Sequence, residues 1–421
     1  MKFGSVARRI GAPVTVQHTH CIGLHAAIGV CIALLGLPSP AIASIQGSGN
    51  FLRPFATATR TYDSNLLNKP ANASGPRSDQ IDRFEAGTHL DFQISRQKFS
   101  GTLSVNQTRH DEFAERNTEG ELYKFRWDAE IGKTITGNVE ASSLTDQAPI
   151  QTGAVTVIER QQKLEQVGVN WNFHPTYAVR TRFANTETRF KGTPGTPDSV
   201  LSGLNRNDEL QSIGMVYTAG TGSTLGLFMN ILTGDFPLRQ VIGPGQSVSN
   251  NFEQNEVELQ GQWNHSPITR IQFSVAAVER EHDELPVRDY SGINYRVDAQ
   301  YQPTAKSTWV LGFGRQIVGV SDASNSDALV RQVTVGYNLA LSNKVLMRLF
   351  HRPQKLRFSG TDGLNAVPRE ETLKESSLTL EYQATRFLSF GTTASHRRRD
   401  SSAANSDYSA NAVNVFVKFT H

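Results

Sequence analysis

The chain has 421 residues, of which 38% are apolar and 19% charged, and its formal net charge is +3. So low an apolar share, without any core-helix pattern after the first forty or so positions, excludes a set of buried soluble cores and a crossing of membranes by helices. The near-neutral charge gives no polyanion signature, and no nucleic-acid partner is expected. What remains is a fold in which only alternate residues are apolar, which a β-barrel in a membrane satisfies because its lumen stays wet.

The N-terminus reads as a secretory signal. Lys2, Arg8 and Arg9 precede an apolar run from Ile22 to Leu37, and Ala41-Ile42-Ala43 supplies small residues for cleavage before Ser44. A retained anchor is the alternative, but the run is short and contains His25. Two units are therefore expected, residues 1–43 as signal peptide and 44–421 as the barrel. Both cysteines, Cys21 and Cys31, fall in the leader. The mature chain would carry no thiol, which excludes disulfides and cysteine chemistry.

Alternation then runs to the end of the chain. A first strand is expected over Phe55 to Thr61, followed by a long loop holding Pro70, Gly75 and Pro76. Phe84, Ala86, Leu90, Phe92 and Ile94 share one face of a second strand, with Glu85, His89, Asp91 and Gln93 on the other. A turn at Ser95 to Lys98 leads to Phe99, Leu103 and Val105. Tyr123, Phe125, Trp127, Ala129 and Ile131 alternate with Lys124, Arg126, Asp128 and Glu130, giving the clearest lipid-out, charge-in strand. Trp171 and Phe173 precede a turn at His174-Pro175, and Tyr217 precedes one at Ala219 to Ser223.

A long hairpin runs from Glu256 to Ala277. Val257, Leu259, Gly261 and Trp263 alternate with Glu256, Glu258, Gln260 and Gln262, the chain turns over Asn264 to Pro267, and Ile271, Phe273, Val275 and Ala277 return. Arms of about ten alternating residues match tilted membrane strands. Further turns are expected at Gln302-Pro303, Ser342-Asn343 and Ala384-Thr385, and the last strand at Val413 to Phe419.

The count comes to about eighteen strands, so the expected fold is all-β, a transmembrane antiparallel up-and-down barrel. Longer connections at Ser64 to Asp79, Arg189 to Asn207, Gly234 to Asn250 and Ser359 to Pro368 should face outward from the cell. The Gly234 to Asn250 loop is expected to fold inward and narrow the pore. Aromatic residues before the short turns, Trp171, Tyr217, Trp263, Tyr301, Tyr337 and Tyr382 among them, predict a periplasmic girdle. A soluble sandwich would use shorter strands, and a solenoid would show a fixed repeat.

No motif carries catalysis, a cofactor or a metal. The histidines, His110 and His282 included, are scattered, and the run Arg397-Arg398-Arg399 is expected at the outer rim, solvated or facing lipopolysaccharide. The candidate lumen lining is Lys124, Arg126, Asp128, Glu130, Arg180, Arg182, Glu256, Glu258, Arg270, Arg296, Asp298 and Glu381. Both signs are present, so strong ion selectivity is not implied.

Several stretches carry a resemblance. Thr61-Tyr62-Asp63-Ser64-Asn65-Leu66, Gly75 to Asp79, Gln97-Lys98-Phe99, Thr233-Gly234-Asp235-Phe236-Pro237 and Arg288-Asp289-Tyr290-Ser291-Gly292 together resemble the EpsL branch of β-barrel porins. The resemblance implies an outer-membrane protein tied to exopolysaccharide production or export. It implies as partners outer-membrane lipid and lipopolysaccharide, the exopolysaccharide and periplasmic export components, and the barrel-assembly machinery. It brings no functional residues. Barrels of this kind usually end in an aromatic residue, whereas this chain ends Phe419-Thr420-His421. Two functions follow as expectations: a water-filled channel, or a non-conducting barrel that anchors polymer or envelope partners. An outer-membrane hydrolase is the distant third.

Overall fold

The structure is a computed structural model, and it describes residues 51–147, 158–192, 205–243, 245–322, 325–358 and 369–421. The expected leader and the Ser359 to Pro368 loop lie outside the described residues.

The first strands are β1 (Leu52–Asp63), β2 (Asp79–Ile94), β3 (Gln97–His110), β4 (Thr118–Ile131) and β5 (Ile135–Gln147). Next come β6 (Ile158–His174), β7 (Tyr177–Gly192), β8 (Arg206–Thr218), β9 (Thr224–Asp235), and a small hairpin of β10 (Gln240–Gly243) and β11 (Gln246–Val248). The remainder are β12 (Phe252–Ser266), β13 (Thr269–His282), β14 (Tyr290–Thr304), β15 (Ser307–Asp322), β16 (Asn325–Ala340), β17 (Val345–Phe358), β18 (Glu370–Gln383), β19 (Leu388–Ser401) and β20 (Tyr408–Thr420). Eighteen of these form a single antiparallel sheet in which each pairs with its sequence neighbour, β9 pairing with β12 past the small hairpin. β20 pairs with β1 from Phe55↔Thr420 to Asp63↔Ala412, so the sheet closes on itself. Every strand then has two partners, which is what a β-structure needs where no water can satisfy its backbone.

Some expected turns are strand. Asn264 and Ser266 are paired with Arg270 and Thr269, and Gln302 and Pro303 lie within β14, so the turns are shorter than the Pro residues implied. Pro is tolerated there because the ladder slips between Tyr301 and Thr304.

The outward face is apolar. Phe84, Leu227, Met229 and Val257 are each more than half exposed, as only a solvent of lipid would permit over so large an area. At the short-turn end the outward rows turn aromatic. Phe92, Phe99 and Trp127 stand opposite one another on β2, β3 and β4, and Tyr301, Trp309 and Tyr337 on β14, β15 and β16. The Trp309 and Tyr337 rings are 4.4 Å apart and the Tyr177 and Tyr217 rings 5.4 Å.

The long-loop end is closed by a recurrent device. The backbone N–H near the end of one strand donates to an Asn or Asp side-chain oxygen placed immediately before the next strand. His110 donates to Asn117 at 2.7 Å, Phe190 to Asn205 at 2.7 Å, Phe236 to Asn251 at 2.7 Å, His282 to Asp289 at 2.8 Å and Ser401 to Asp407 at 2.6 Å. Two of these loops are built alike. His110-Asp111-Glu112 leads through a 3-10 turn at Ala114–Arg116, and His282-Asp283-Glu284 through one at Pro286–Arg288, each burying its arginine to 1% exposure.

β14 and β15 separate near this end. Their pairing stops at Tyr295↔Arg315, while β15 stays paired with β16 through Ile317↔Leu329, Val318↔Ala328 and Gly319↔Asp327. Beyond the split Ile317, Val318 and Gly319 are all buried, which a strand with one lipid face cannot show. Ile317 packs on Ala276 and Val278 of the inner face of β13, and Val318 joins Ala328, Val330, Leu356 and Phe358 in an apolar cluster. The β15–β16 hairpin tip therefore bends into the barrel.

Candidate functional site

The inner wall is assembled from the residues that alternate with the apolar rows. On β4, Lys124, Arg126, Asp128 and Glu130 take the face opposite Phe125 and Trp127. Glu140 of β5, 2% exposed, gathers three of them into one network: Lys124 Nζ lies 2.9 Å and Arg126 Nη1 3.1 Å from its oxygens, and Arg126 Nη2 lies 2.7 Å from Asp128. Glu381 is held by Arg348 at 2.7 Å on the β17–β18 side. Glu130 and Arg270 sit exposed at the short-turn end, away from these groups, and Arg180 is half-buried on the same strand as Arg182.

Five of the twelve candidates meet in one place. Arg182, Glu256, Glu258, Arg296 and Asp298 line a cavity of about 190 Å³, together with Arg206, Asp208, Asn230, Gln254, Arg280, Gln316 and Val318. The strand order explains the meeting, since β7, β8, β9, β12, β13 and β14 are successive staves and their even-numbered residues converge inward. Asn230 Nδ2 donates to Glu256 at 3.3 Å and to Glu258 at 3.1 Å, fixing two neighbouring carboxylates on one strand. Arg296 Nε donates to Asp298.

Sequence reasoning missed the group that narrows this cavity. Asp327, carried in on the β15–β16 tip, pairs with Arg280 of β13 and lies 3.4 Å from Nε2 of His282. Arg280 also donates to Gln254 at 2.7 Å and covers the Phe252 ring at 4.0 Å. From the other side Arg206, paired with Asp208 at 2.8 Å, reaches the tip, where a Cβ on Gly319 would come within 2.1 Å of its Nη1. The signal was present in Gln316 to Gly319, where apolar residues stop alternating.

The loop expected to fold inward is tied to the neighbouring loop. In the Gly234 to Asn250 segment Pro237, Leu238 and Arg239 are exposed, and Arg239 pairs with Glu284 of the next loop at 2.6 Å. This ion pair joins it sideways to the β13–β14 loop, and the described element that bends inward is β15–β16.

Two further expectations are revised. His110 and His282 are buried against carboxylates, His110 Nδ1 being 3.0 Å from Asp79. The triple arginine is not simply solvated: Arg397 pairs with Asp63 and Arg399 donates to Ser406 at 2.8 Å over the Tyr408 ring, leaving Arg398 with Asp400 at 57% side-chain exposure. Among the described residues no group of three or more His, Cys, Asp or Glu side chains is placed to hold a metal.

The geometry is that of a membrane barrel with a polar inner wall. A family model described as "Putative beta-barrel porin 2" matches residues 46–421. The chain belongs to this porin family. Its members are porin-like barrels of the outer membrane rather than enzymes, consistent with a wall of paired charges. Solved porins share the fold of this family member. The BenF-like porin from Pseudomonas fluorescens Pf-5 is 10% identical with a TM-score of 0.50, over 88% of this chain and 99% of that one. Pseudomonas aeruginosa OccK2 (OpdF) is 10% identical with a TM-score of 0.50, over 88% and 98%. At such identity the likeness concerns the fold. No curated protein matches the chain. Three of the stretches that carry the resemblance do structural work at the long-loop rim: Asp63 pairs with Arg397, Phe236 is buried, and Arg288 donates to Asn250 at 2.6 Å.

Proposed function

We propose that this porin-family barrel is a passive channel for small hydrophilic solutes, with weak charge preference and an aperture set by the β15–β16 tip. The observation that carries the reading is the closed ring of eighteen strands, a size that leaves an aqueous channel unless something fills it. Its inner wall carries both charge signs, largely paired within a few residues, as in Arg126–Asp128 and Arg296–Asp298. Such a wall hydrates a pore without favouring one ion. Single-channel recording of refolded protein in a planar bilayer tests it, and the expected result is stable ohmic conductance with a small reversal potential in a salt gradient.

The finer assignment is a role beside exopolysaccharide production or export, and what supports it is the motif resemblance in Tyr62 to Leu66 and the other stretches named above. Loss of secreted polymer in a strain lacking this chain, restored by its return, is the expected outcome. A second reading, a non-conducting anchor barrel, is favoured by the docking of Asp327 on Arg280 inside the lumen. Absence of conductance both in the wild type and after release of that tip would decide for the anchor.

A further inference from the structure

The outward face just beyond the apolar band is divided by charge. On β15, β16 and β17 Arg315 stands directly opposite Arg331, and Arg331 directly opposite Lys355. On β18 and β19 Lys374 stands opposite Arg398. Arg357 adds a sixth cation at the end of β17. These are outward positions, because Phe313 and Val333, the exposed pair two residues away along β15 and β16, share their row. Arg331, Lys355, Arg357, Lys374 and Arg398 are exposed and Arg315 is half-buried.

Like charges set directly across a sheet destabilise it, so such a ladder needs a counter-charge. Among the described residues two carboxylates of the sector pair with it. Glu370 lies 3.1 Å from Lys355 and Asp400 2.9 Å from Arg398. Neither Arg331 nor Lys374 has a carboxylate within ion-pair distance among the described residues. At the corresponding level of β8 to β13 the outward residues are Glu209, Asp235, Glu253, Glu279 and Glu281, with Glu253 directly opposite Glu281. The barrel is therefore not girdled by a uniform polar belt: the outward charges of β15–β19 are mostly basic and those of β8–β13 acidic, while β1 to β7 mix the signs, Arg60 lying beside Asp82 and Lys163 opposite Glu187.

This end carries the long loops, which in such barrels face outward from the cell, so the ladder meets the outer leaflet at headgroup depth. There long basic side chains keep their stems on the apolar band and extend their heads to the interface. Arginine forks match phosphate oxygens two at a time, and lysine adds point charge. We propose that the β15–β19 sector binds the phosphate groups of an anionic outer-leaflet lipid, seating a phosphorylated headgroup across Arg331, Lys355, Lys374 and Arg398. The headgroup supplies the charge that the sheet lacks, and the acidic β8–β13 sector repels it, so lipid is seated on one side of the barrel.

Purified lipopolysaccharide, titrated onto detergent-refolded full-length protein and counted by native mass spectrometry, tests the assignment. Arg331→Gln with Lys374→Gln should weaken binding about thirty-fold, at roughly one surface charge's contribution per residue. Glu253→Gln with Glu281→Gln should not weaken it, and inorganic phosphate at matched phosphate concentration should not displace the lipid. Arg331→Lys with Lys374→Arg, which retains both charges and guards against a folding defect, should bind like wild type. Binding by the double glutamine variant within about threefold of wild type, equal loss in the acidic-sector variant, displacement by inorganic phosphate, or loss in the charge-retaining variant would each overturn it.

Discussion

Asp327 of β16 and Arg280 of β13 form an ion pair across two intervening strands, and both are almost fully buried, at 1% and 3% exposure. Their partnership fastens the bent hairpin tip to the wall two strands away. Removing one member of a buried pair leaves the other charge uncompensated, at a cost of about 3–5 kcal/mol. Asp327→Ala should therefore release the tip and raise single-channel conductance. Deletion of Pro237 to Ser249 should leave conductance nearly unchanged, because that loop is tied sideways to Glu284 of the next loop. Equal increases from both variants would show that the tip is not the narrow point.

The membrane register can be tested at two adjacent residues. Val257, 51% exposed, lies between Met229 and Ala277 on the outward face, whereas Glu258 lines the inner cavity. Val257→Arg should destabilise the barrel by about 2–4 kcal/mol if it lies near the midplane, and Glu258→Arg by much less. Denaturant titration of refolded protein in lipid vesicles reads both. Equal costs would contradict the facing of β12.

The pair Glu256 and Glu258 is held by the amide of Asn230, while Arg296 and Asp298 nearby hold each other. Replacing both glutamates by glutamine removes two negative charges from the cavity and leaves Arg182 and Arg296 in place. The reversal potential in a potassium chloride gradient should shift toward anion preference. No shift would mean that ions bypass this cavity.

The loop clip at the rim should respond to pH. Arg239, and after it the backbone N–H of Ser249, hold the Glu284 carboxyl below its ordinary range, and the Glu284 carboxylate in turn raises Arg239. A carboxyl whose folded value is depressed stabilises the folded loop fully above its unfolded value, near pH 4.3, and that contribution is lost as pH falls through the lower folded value. Protection of the Ser249 amide against hydrogen exchange should accordingly hold from neutral pH to about pH 5 and decline below pH 4. Glu284→Gln should lack that decline and should be cut faster by trypsin after Arg239 at neutral pH.

Alternation made the strands legible because a lipid face and a wet face impose a period of two on every stave. Tyr123 to Ile131 and Val257 to Trp263 therefore read correctly from the residues alone. The aromatic rows before the turns were legible for the same reason. The inward tip was not, since its partners Asp327 and Arg280 are joined only after four strands have curved around the wall. Arg397 shows the same limit: its partner Asp63 lies at the opposite end of the chain, and no local pattern announces a contact that exists only once the ring is shut. The Asn and Asp residues before β4, β8, β12, β14 and β20 were visible as loop residues, but their role as acceptors depends on loop lengths that return each strand end to its successor.

The junction of β1 with β20 makes assembly all-or-none. Phe55 meets Thr420, His421 donates to Pro54 at 3.0 Å, and Asp63 reaches past β20 to Arg397, so the first strand made waits for the last before either edge is satisfied. An intermediate missing only its final stave would offer two open rows of peptide groups to the bilayer, where each costs several kcal/mol. Such a species must be sheltered or must pair with another copy. New chain ends placed in a short turn such as Ser95–Arg96, with the present strand ends tethered, would preserve every rung of the ladder while changing which seam shuts last.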